Sequence, residues 1–256
     1  MPVALITGGS AGLGLVLAEA LTERNWDVVV DARGERALRA AAVVLGPRAV
    51  TVTGDVADPA HRQDLLAAVS RAGRLDLLVN NAGALGPSPL PALADTALPE
   101  LEQLYRVNTL APLALIQLAL PLLRAGAGTI VNLSSDAAVE AYPGWGAYGS
   151  SKAALDQLTA VLGVELPELG VYSFDPGDMR TAMHQRAFPG EDISDRPEPG
   201  GVVPALLRLI TERPPSGRYR ATDLPLSPAI GTSTAAPAPA PAADLTQPPT
   251  AVTATS

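Results

Sequence analysis

The chain has no cysteine and only two histidines, His61 and His184, among its 256 residues. The missing thiols exclude disulfides, thiolate nucleophiles and Cys-ligated metals, and no metal site is expected. Two histidines also limit any mechanism that needs an imidazole base. Excess positive charge is lacking as well: the formal net charge is -8, so a nucleic acid or an anionic membrane surface would meet a field of its own sign. No apolar run is long. The most apolar one, "TLAPLALIQLALPLL" (109–123), is shorter than about 18 residues and holds Gln117 and two prolines, which predicts a buried helix, not a membrane span. The first strand begins by Val3, leaving no room for the charged and apolar regions of a signal peptide, so a cytoplasmic protein is expected.

What is present is enough apolar material for one core, at 47% of residues. Short β-rich runs alternate with helical stretches over the first 180 residues. Strands are predicted near 3–7, 27–31, 49–53, 75–79, 128–134 and 171–174, with "GRYRA" (217–221) a seventh. These runs are mostly continuous in apolar residues, the mark of strands buried on both faces, and the segments between them are long enough for crossover helices. The expected fold is therefore α/β: a Rossmann-type, doubly wound parallel sheet of about seven strands in a single domain spanning residues 1–222. Ligands of such folds sit beyond the carboxyl ends of the strands. Residues 223–256 are poor in charge and large apolar side chains and rich in Pro, Ala and Thr, and are expected to form a disordered tail.

The stretch "TGGSAGLG" (7–14) admits two chemistries. Gly8-Gly9-Ser10-Ala11-Gly12 fits the G-x-S-x-G elbow of a serine hydrolase, whereas Thr7-Gly8-x-x-x-Gly12-x-Gly14 fits a turn that cradles a dinucleotide pyrophosphate. A hydrolase elbow follows several strands and needs a later acid and histidine. This turn follows the first strand, His61 falls at what reads as the solvated start of a helix, and His184 falls in a loop. The phosphate reading needs only glycines for close approach and a helix N-terminus with free NH groups, with the Ser10 hydroxyl bonding a phosphate or capping the helix.

Further motifs stand in order: "NNAG" at 80–83, Asn108 in "RVNTLAP", Ser135, the Y-x-x-x-K pair Tyr148 and Lys152, and "PGDMRT" at 176–181. With the glycine turn, they make residues 3–221 resemble the short-chain dehydrogenase/reductase family. The resemblance implies an NAD(P)-dependent oxidoreductase that interconverts a carbonyl and an alcohol. It implies Asn108, Ser135, Tyr148 and Lys152 as catalytic residues. Cofactor contacts are implied for Gly8, Ser10, Gly12, Leu13, Gly14, Asp55, Val56, Asn80, Ala82, Gly83, Pro176, Gly177 and Thr181, besides Tyr148 and Lys152. A non-catalytic, dinucleotide-sensing regulator of the same fold is the alternative reading.

A phenol with an ordinary pKa of about 10 is too weak a base near neutrality. Lys152, four residues on, shares a helix face with Tyr148. An ammonium at about 4 Å contributes roughly 4 kcal/mol at an effective dielectric of about 20, enough to bring the phenol near 7. Ser135, read as the end of strand five and thirteen residues before Tyr148, is expected to hold the substrate oxygen. Ser134 is its rival, but successive strand residues point to opposite faces. In the family the carbonyl of the residue matching Asn108 holds a water. Here Pro112 lacks the NH that would otherwise occupy that carbonyl.

At the end of strand two, Asp31 looks like an acidic NAD marker. Counted by family spacing, though, the acidic position falls on Ala32, and Arg33 stands where NADP-using members carry a base. NADP is therefore expected in preference to NAD, although Asp31 could neutralise Arg33 along an extended chain. The segment 182–200 is the expected substrate lid, with Trp145, Met179 and His184 as candidate lining for an apolar ketone or its alcohol. The helix from Leu98 to Leu123 presents more apolar surface than one sheet face should need, and the family resemblance implies that it pairs with its twin, so a homodimer or homotetramer is expected. The stretch from Glu165 to Pro176 is about two residues shorter than the family pattern, so strand six or the turn before it should be short.

Overall fold

The computed structural model describes residues 1–224; the predicted tail lies, from residue 225 on, outside the described residues. Seven strands form one sheet: β1 (Val3–Ile6), β2 (Asp27–Ala32), β3 (Ala49–Thr53), β4 (Leu77–Asn80), β5 (Thr129–Leu133), β6 (Gly170–Asp175) and β7 (Gly217–Arg220). All neighbours pair parallel, in the order β3-β2-β1-β4-β5-β6-β7. This is the doubly wound Rossmann-type sheet that the alternating pattern predicts. Its order reverses between β1 and β4, and there the strand ends open a crevice.

The continuous apolar runs divide between two cores because side chains alternate across a strand. Ala4, Ile6, Val28, Val30, Val131 and Phe174 face one side, where Leu17 and Leu21 of α1 (Gly12–Thr22), Leu38 of α2 (Glu35–Leu45), and Leu206 and Leu209 of α8 (Val203–Glu212) cover them. Leu5, Val29, Leu78, Ile130 and Val171 face the other, under Leu65 and Val69 of α3 (Pro59–Ser70) and Leu115, Ile116 and Leu123 of α5 (Ala111–Gly126). Each fully buried side chain of this size contributes about 1.5–3 kcal/mol, so both layers hold the sheet.

One sequence expectation changes here and a second is resolved between its two alternatives. The helix predicted from Leu98 begins as α4 (Leu98–Tyr105), passes through a π-helical stretch at Arg106–Leu110, and continues as α5. The whole helical run, Leu98–Gly126, has length and mean hydropathy (1.4) enough to cross a membrane, beyond what the 15-residue apolar stretch implied; its inner face, Leu115, Ile116, Ala119 and Leu123, is packed in the sheet core. Strand six is not short. At six residues it equals β2 as the longest strand, and the economy falls in the turn between α6 (Gly146–Glu165) and β6.

Candidate active site

The turn after β1 follows from its glycines. Gly8 has φ +69° and Gly12 φ +56°, in the left-handed region that a Cβ disfavours. A Cβ on Gly14 would stand 2.5 Å from Nδ2 of Asn81 and 2.6 Å from the Gly8 carbonyl, so α1 can lie this close to β4 only without one. Gly14 thus sits behind the turn, while Gly8, Ser10, Gly12 and Leu13 line a cavity of about 740 Å³. Ala11 precedes α1, and its side chain makes no capping hydrogen bond among the described residues. The helix's first amide groups keep donors that no side chain satisfies, and they stand at the cavity wall, the arrangement that suits a bound phosphate. No hydrogen bond joins Ser10 to either histidine among the described residues, so the hydrolase reading has no base.

The rest of the wall comes from the carboxyl ends of β2, β3, β4 and β6. Arg33, Asp55, Val56, Ala82, Gly83, Pro176 and Thr181 line the cavity as the sequence anticipates. Asp55 accepts the amide of Ala57 at 2.9 Å, which fixes its loop. Thr181 accepts the amide of His184 at 3.1 Å and so caps α7 (Ala182–Ala187) while facing the cavity. Asn80 does not reach it: its carboxamide donates to Asn132 at 2.8 Å inside the sheet. The lining residue is Asn81, which the sequence reading passed over. Its amide group donates to the carbonyls of Thr7 (2.8 Å) and Gly8 (3.1 Å), stitching β4 to the glycine turn. Doubling of the asparagine was the signal, since one side chain of adjacent residues must point into the sheet and the other out.

Asp31 and His61 depart furthest from expectation. Asp31 is 1% exposed and makes no ion pair with Arg33. Its carboxylate instead accepts the Gly8 amide at 2.7 Å and pairs with Nε2 of His61 at 2.8 Å. His61 is 4% exposed, not solvated. Arg33 is exposed and forms no ion pair or side-chain hydrogen bond among the described residues.

Tyr148 and Lys152 line one end of this cavity, Ser135 lines the smaller one beyond the phenol, and Asn108 lies behind the wall, bonded to Ser151 next to Lys152. α6 carries Tyr148 and Lys152 on its buried face. β5 ends at Leu133, two residues earlier than read, so Ser135 stands in the following loop. There its hydroxyl donates to Asp136 at 2.9 Å. Ser134 is the more buried of the pair, and its hydroxyl has no partner. Asn108, fully buried in the π-helical stretch, does not line the cavity. Its carboxamide accepts the amide of Ala84 (2.8 Å) and donates to the Ala84 carbonyl (2.9 Å) and to Ser151 (2.9 Å), fastening the loop after β4 to α6. The helix meets the missing NH of Pro112 with a wider turn, in which the Ala111 amide reaches back to the carbonyl of Arg106.

Lys152 is the only lysine in the chain. Its ammonium is buried, lies 5.7 Å from the centre of the Tyr148 ring, and donates to the Leu133 carbonyl at 2.7 Å. Burial lowers its pKa to about 8, with Asp156 opposing. Burial also raises the Tyr148 phenol above its ordinary range; the Ser135 hydrogen bond lowers it, and Asp136 and Asp175 raise it. The expectation that Lys152 draws this phenol towards neutrality is therefore not met. Burial is the largest cause, and the ammonium's hydrogen bond is directed at the Leu133 carbonyl instead.

A second, smaller cavity of about 110 Å³ adjoins the phenol, lined by Ser134, Ser135, Trp145, Met179 and His184 among others, with Gly177. The Trp145 ring meets Tyr148 edge-on at 5.7 Å and Phe188 at 6.0 Å. His184, read as a loop residue, belongs to α7 and stacks on Phe188 at 4.9 Å. The expected lid thus holds a helix, tied down where Ser88 donates to the Arg186 carbonyl (2.7 Å) and Arg186 to the Gly86 carbonyl (2.9 Å).

Comparison with known proteins agrees with this arrangement. Residues 2–192 match the family model for short chain dehydrogenases. An uncharacterized oxidoreductase of Schizosaccharomyces pombe is 35% identical over 181 residues, 71% of this chain and 72% of its own. A benzil reductase ((S)-benzoin forming) of Saccharomyces cerevisiae is 33% identical over 220 residues, 82% of this chain and 81% of its own. A short chain dehydrogenase of Escherichia coli, solved with NADPH, superposes with a TM-score of 0.80 at 30% identity, over 86% of this chain and 96% of its own.

Proposed function

The chain belongs to the short-chain dehydrogenase/reductase family and is an NAD(P)-dependent oxidoreductase of small molecules, and from that premise we propose that it reduces a carbonyl, or oxidises the matching alcohol, with NADP(H) and with Tyr148 as the acid and base. One observation carries the reading: the buried phenol of Tyr148 stands between a cavity of dinucleotide size and a smaller one, beside the chain's only lysine. The free amides at the start of α1 suit the pyrophosphate, and Arg33 suits a 2'-phosphate because the neighbouring acid, Asp31, is turned inward.

When bound, the nicotinamide supplies the hydride. The chain's own residues handle the oxygen and its proton. Ser135 positions the carbonyl oxygen within reach of the phenol, and Tyr148, held protonated by desolvation, donates to that oxygen as charge develops. Lys152, with a pKa near 8, passes the replacement proton from the side of Asn108, whose carbonyl cannot be taken up by Pro112. Gly8, Ser10, Gly12, Leu13, Asp55, Val56, Ala82, Gly83, Pro176, Gly177 and Thr181 bind the cofactor; Gly14 and Asn80 act by shaping that wall. Trp145, Met179 and His184 line the substrate side, and Trp145, Leu85, Met179 and Met183 give it an apolar wall that suits an apolar ketone or its alcohol.

In this reading residues 1–222 are the catalytic domain and 223–256 an appended tail. The protein works in the cytoplasm, as a homodimer or homotetramer through the α4–α5 face, with neither nucleic acid nor membrane as partner; Leu98 and Leu110 are exposed there. The test is a panel of carbonyl compounds with NADPH absorbance as readout and Tyr148→Phe as control. Consumption by the parent and none by the variant is expected; NADPH binding with no turnover of any carbonyl would overturn the reading.

A further inference from the structure

Two consecutive amides of the glycine turn end on one residue. Gly8 donates to the Asp31 carboxylate at 2.7 Å and Gly9 to the Asp31 main-chain carbonyl at 2.9 Å. The other carboxylate oxygen meets Nε2 of His61 at 2.8 Å. His61 comes from α3, which covers the face of the sheet that holds Val29, and its ring packs where residue 54 must be glycine: a Cβ there would lie 2.1 Å from Nδ1 of the ring. Asp31, Gly54 and Gly8 all line the large cavity, while Asp31 itself is 1% exposed. A carboxylate this buried is tolerable only with its lone pairs satisfied, and here one amide and one imidazole supply the donors.

We propose that His61 is a positioning residue that selects the cofactor: it holds the Asp31 carboxylate against the glycine turn and so keeps an acid at the end of β2 from facing the 2' position of the ribose. The idea rests on the NADP reading above. An acid free to swing into this part of the cavity would accept a 2'-hydroxyl and repel a 2'-phosphate. The pair gives Asp31 a different task, fixing the backbone that approaches the pyrophosphate. His61, Gly54 and Asp31 therefore act as one unit, although 23 positions separate Asp31 from Gly54. Neither outer member has to touch the cofactor.

The test measures dissociation constants of the full chain for NADPH and NADH by titration, together with the melting temperature. In His61→Leu, NADPH should bind about tenfold more weakly while NADH binds as well or better, because the released carboxylate repels only the phosphate. His61→Gln, which keeps a donor at the Nε2 position, should stay within about twofold of the parent. Should His61→Leu fold poorly, Asp31→Asn and the double variant Asp31→Asn/His61→Leu decide the matter, because without the charge the NADPH preference should survive loss of the imidazole. Equal weakening of both cofactors in step with the melting temperature, in the single and the double variant alike, would make the pair merely structural and overturn the inference. A parent protein with no preference for NADPH would instead overturn the reading on which the inference rests.

Discussion

The Lys152 ammonium passes the Tyr148 ring at 5.7 Å from its centre and donates to the Leu133 carbonyl at 2.7 Å, joining α6 to the end of β5. Cation and phenol are both buried without being hydrogen-bonded to each other, so burial governs both. It holds the phenol protonated and brings the ammonium down to about 8. Such a phenol suits proton donation, the direction of carbonyl reduction. Tyr148→Phe should cost about 10²- to 10⁴-fold in turnover. Titrating NADPH against the variant checks the attribution: affinity should change far less than rate.

Lys152 should be visible in isolation. A single lysine gives a single set of side-chain resonances in lysine-labelled protein, and its midpoint should fall near pH 8 rather than at the 10.5 of a free amine. The sign for stability follows. Between pH 8 and 10.5 the unfolded chain holds a proton on this amine that the folded chain has released, so folding strengthens as pH rises through that window. Relative to Lys152→Met, the parent should gain about 2 kcal/mol between roughly pH 7 and pH 10 in denaturant unfolding. A flat difference would place the amine in water. Tyr148 titrates in both proteins and cancels.

Arg33→Ala should weaken NADPH binding by about tenfold or more and leave NADH nearly unchanged, since a guanidinium and a phosphate form a charge-assisted pair that a ribose hydroxyl lacks. The loss should shrink as salt is raised, because Arg33 is exposed. Equal effects on the two cofactors would remove Arg33 from the 2' site.

Asn108 and Pro112 separate packing from proton supply. Asn108→Leu strips partners from the amide and carbonyl of Ala84 and from Ser151; unfolding should be about 3 kcal/mol easier. Pro112→Ala restores an NH that can close an α-helical bond onto the Asn108 carbonyl. Stability should then hold or rise while turnover falls, most clearly where proton delivery limits the rate. A pH–rate profile identical to the parent's would show that this carbonyl takes no part.

Much of the architecture could be read from pattern alone, because parallel strands buried on both faces leave apolar runs that little else produces. All seven strands lie within about two residues of expectation, and the glycine turn, the Tyr148–Lys152 pair and Arg33 meet the cavity as read. What escaped was set by tertiary contact. His61 stands in a polar-looking helix start, and only the missing side chain at Gly54 lets it turn inward. Asp31 reads as an acidic NAD marker or a partner for Arg33, because its two actual donors arrive from 23 residues before it and 30 after. The Lys152–Tyr148 spacing puts both side chains on one buried helix face, but burial raises the phenol, since helical geometry tells who is near but not how buried the place is. One cue was available from the start: every other basic side chain is arginine, so at 152 a cation able to give up its proton is what distinguishes the position.

Arg218, on β7, donates to the Ser135 carbonyl at 3.0 Å and to Asp175 at 2.9 Å, and also binds Asp156 of α6 at 3.0 Å. A ribosome therefore releases the clasp on the Ser135 loop only after more than four-fifths of the chain has been made. The clasp closes only once β7 joins β6 at the edge of the sheet, so the last strand of the sheet is tied directly to the loop that carries Ser135.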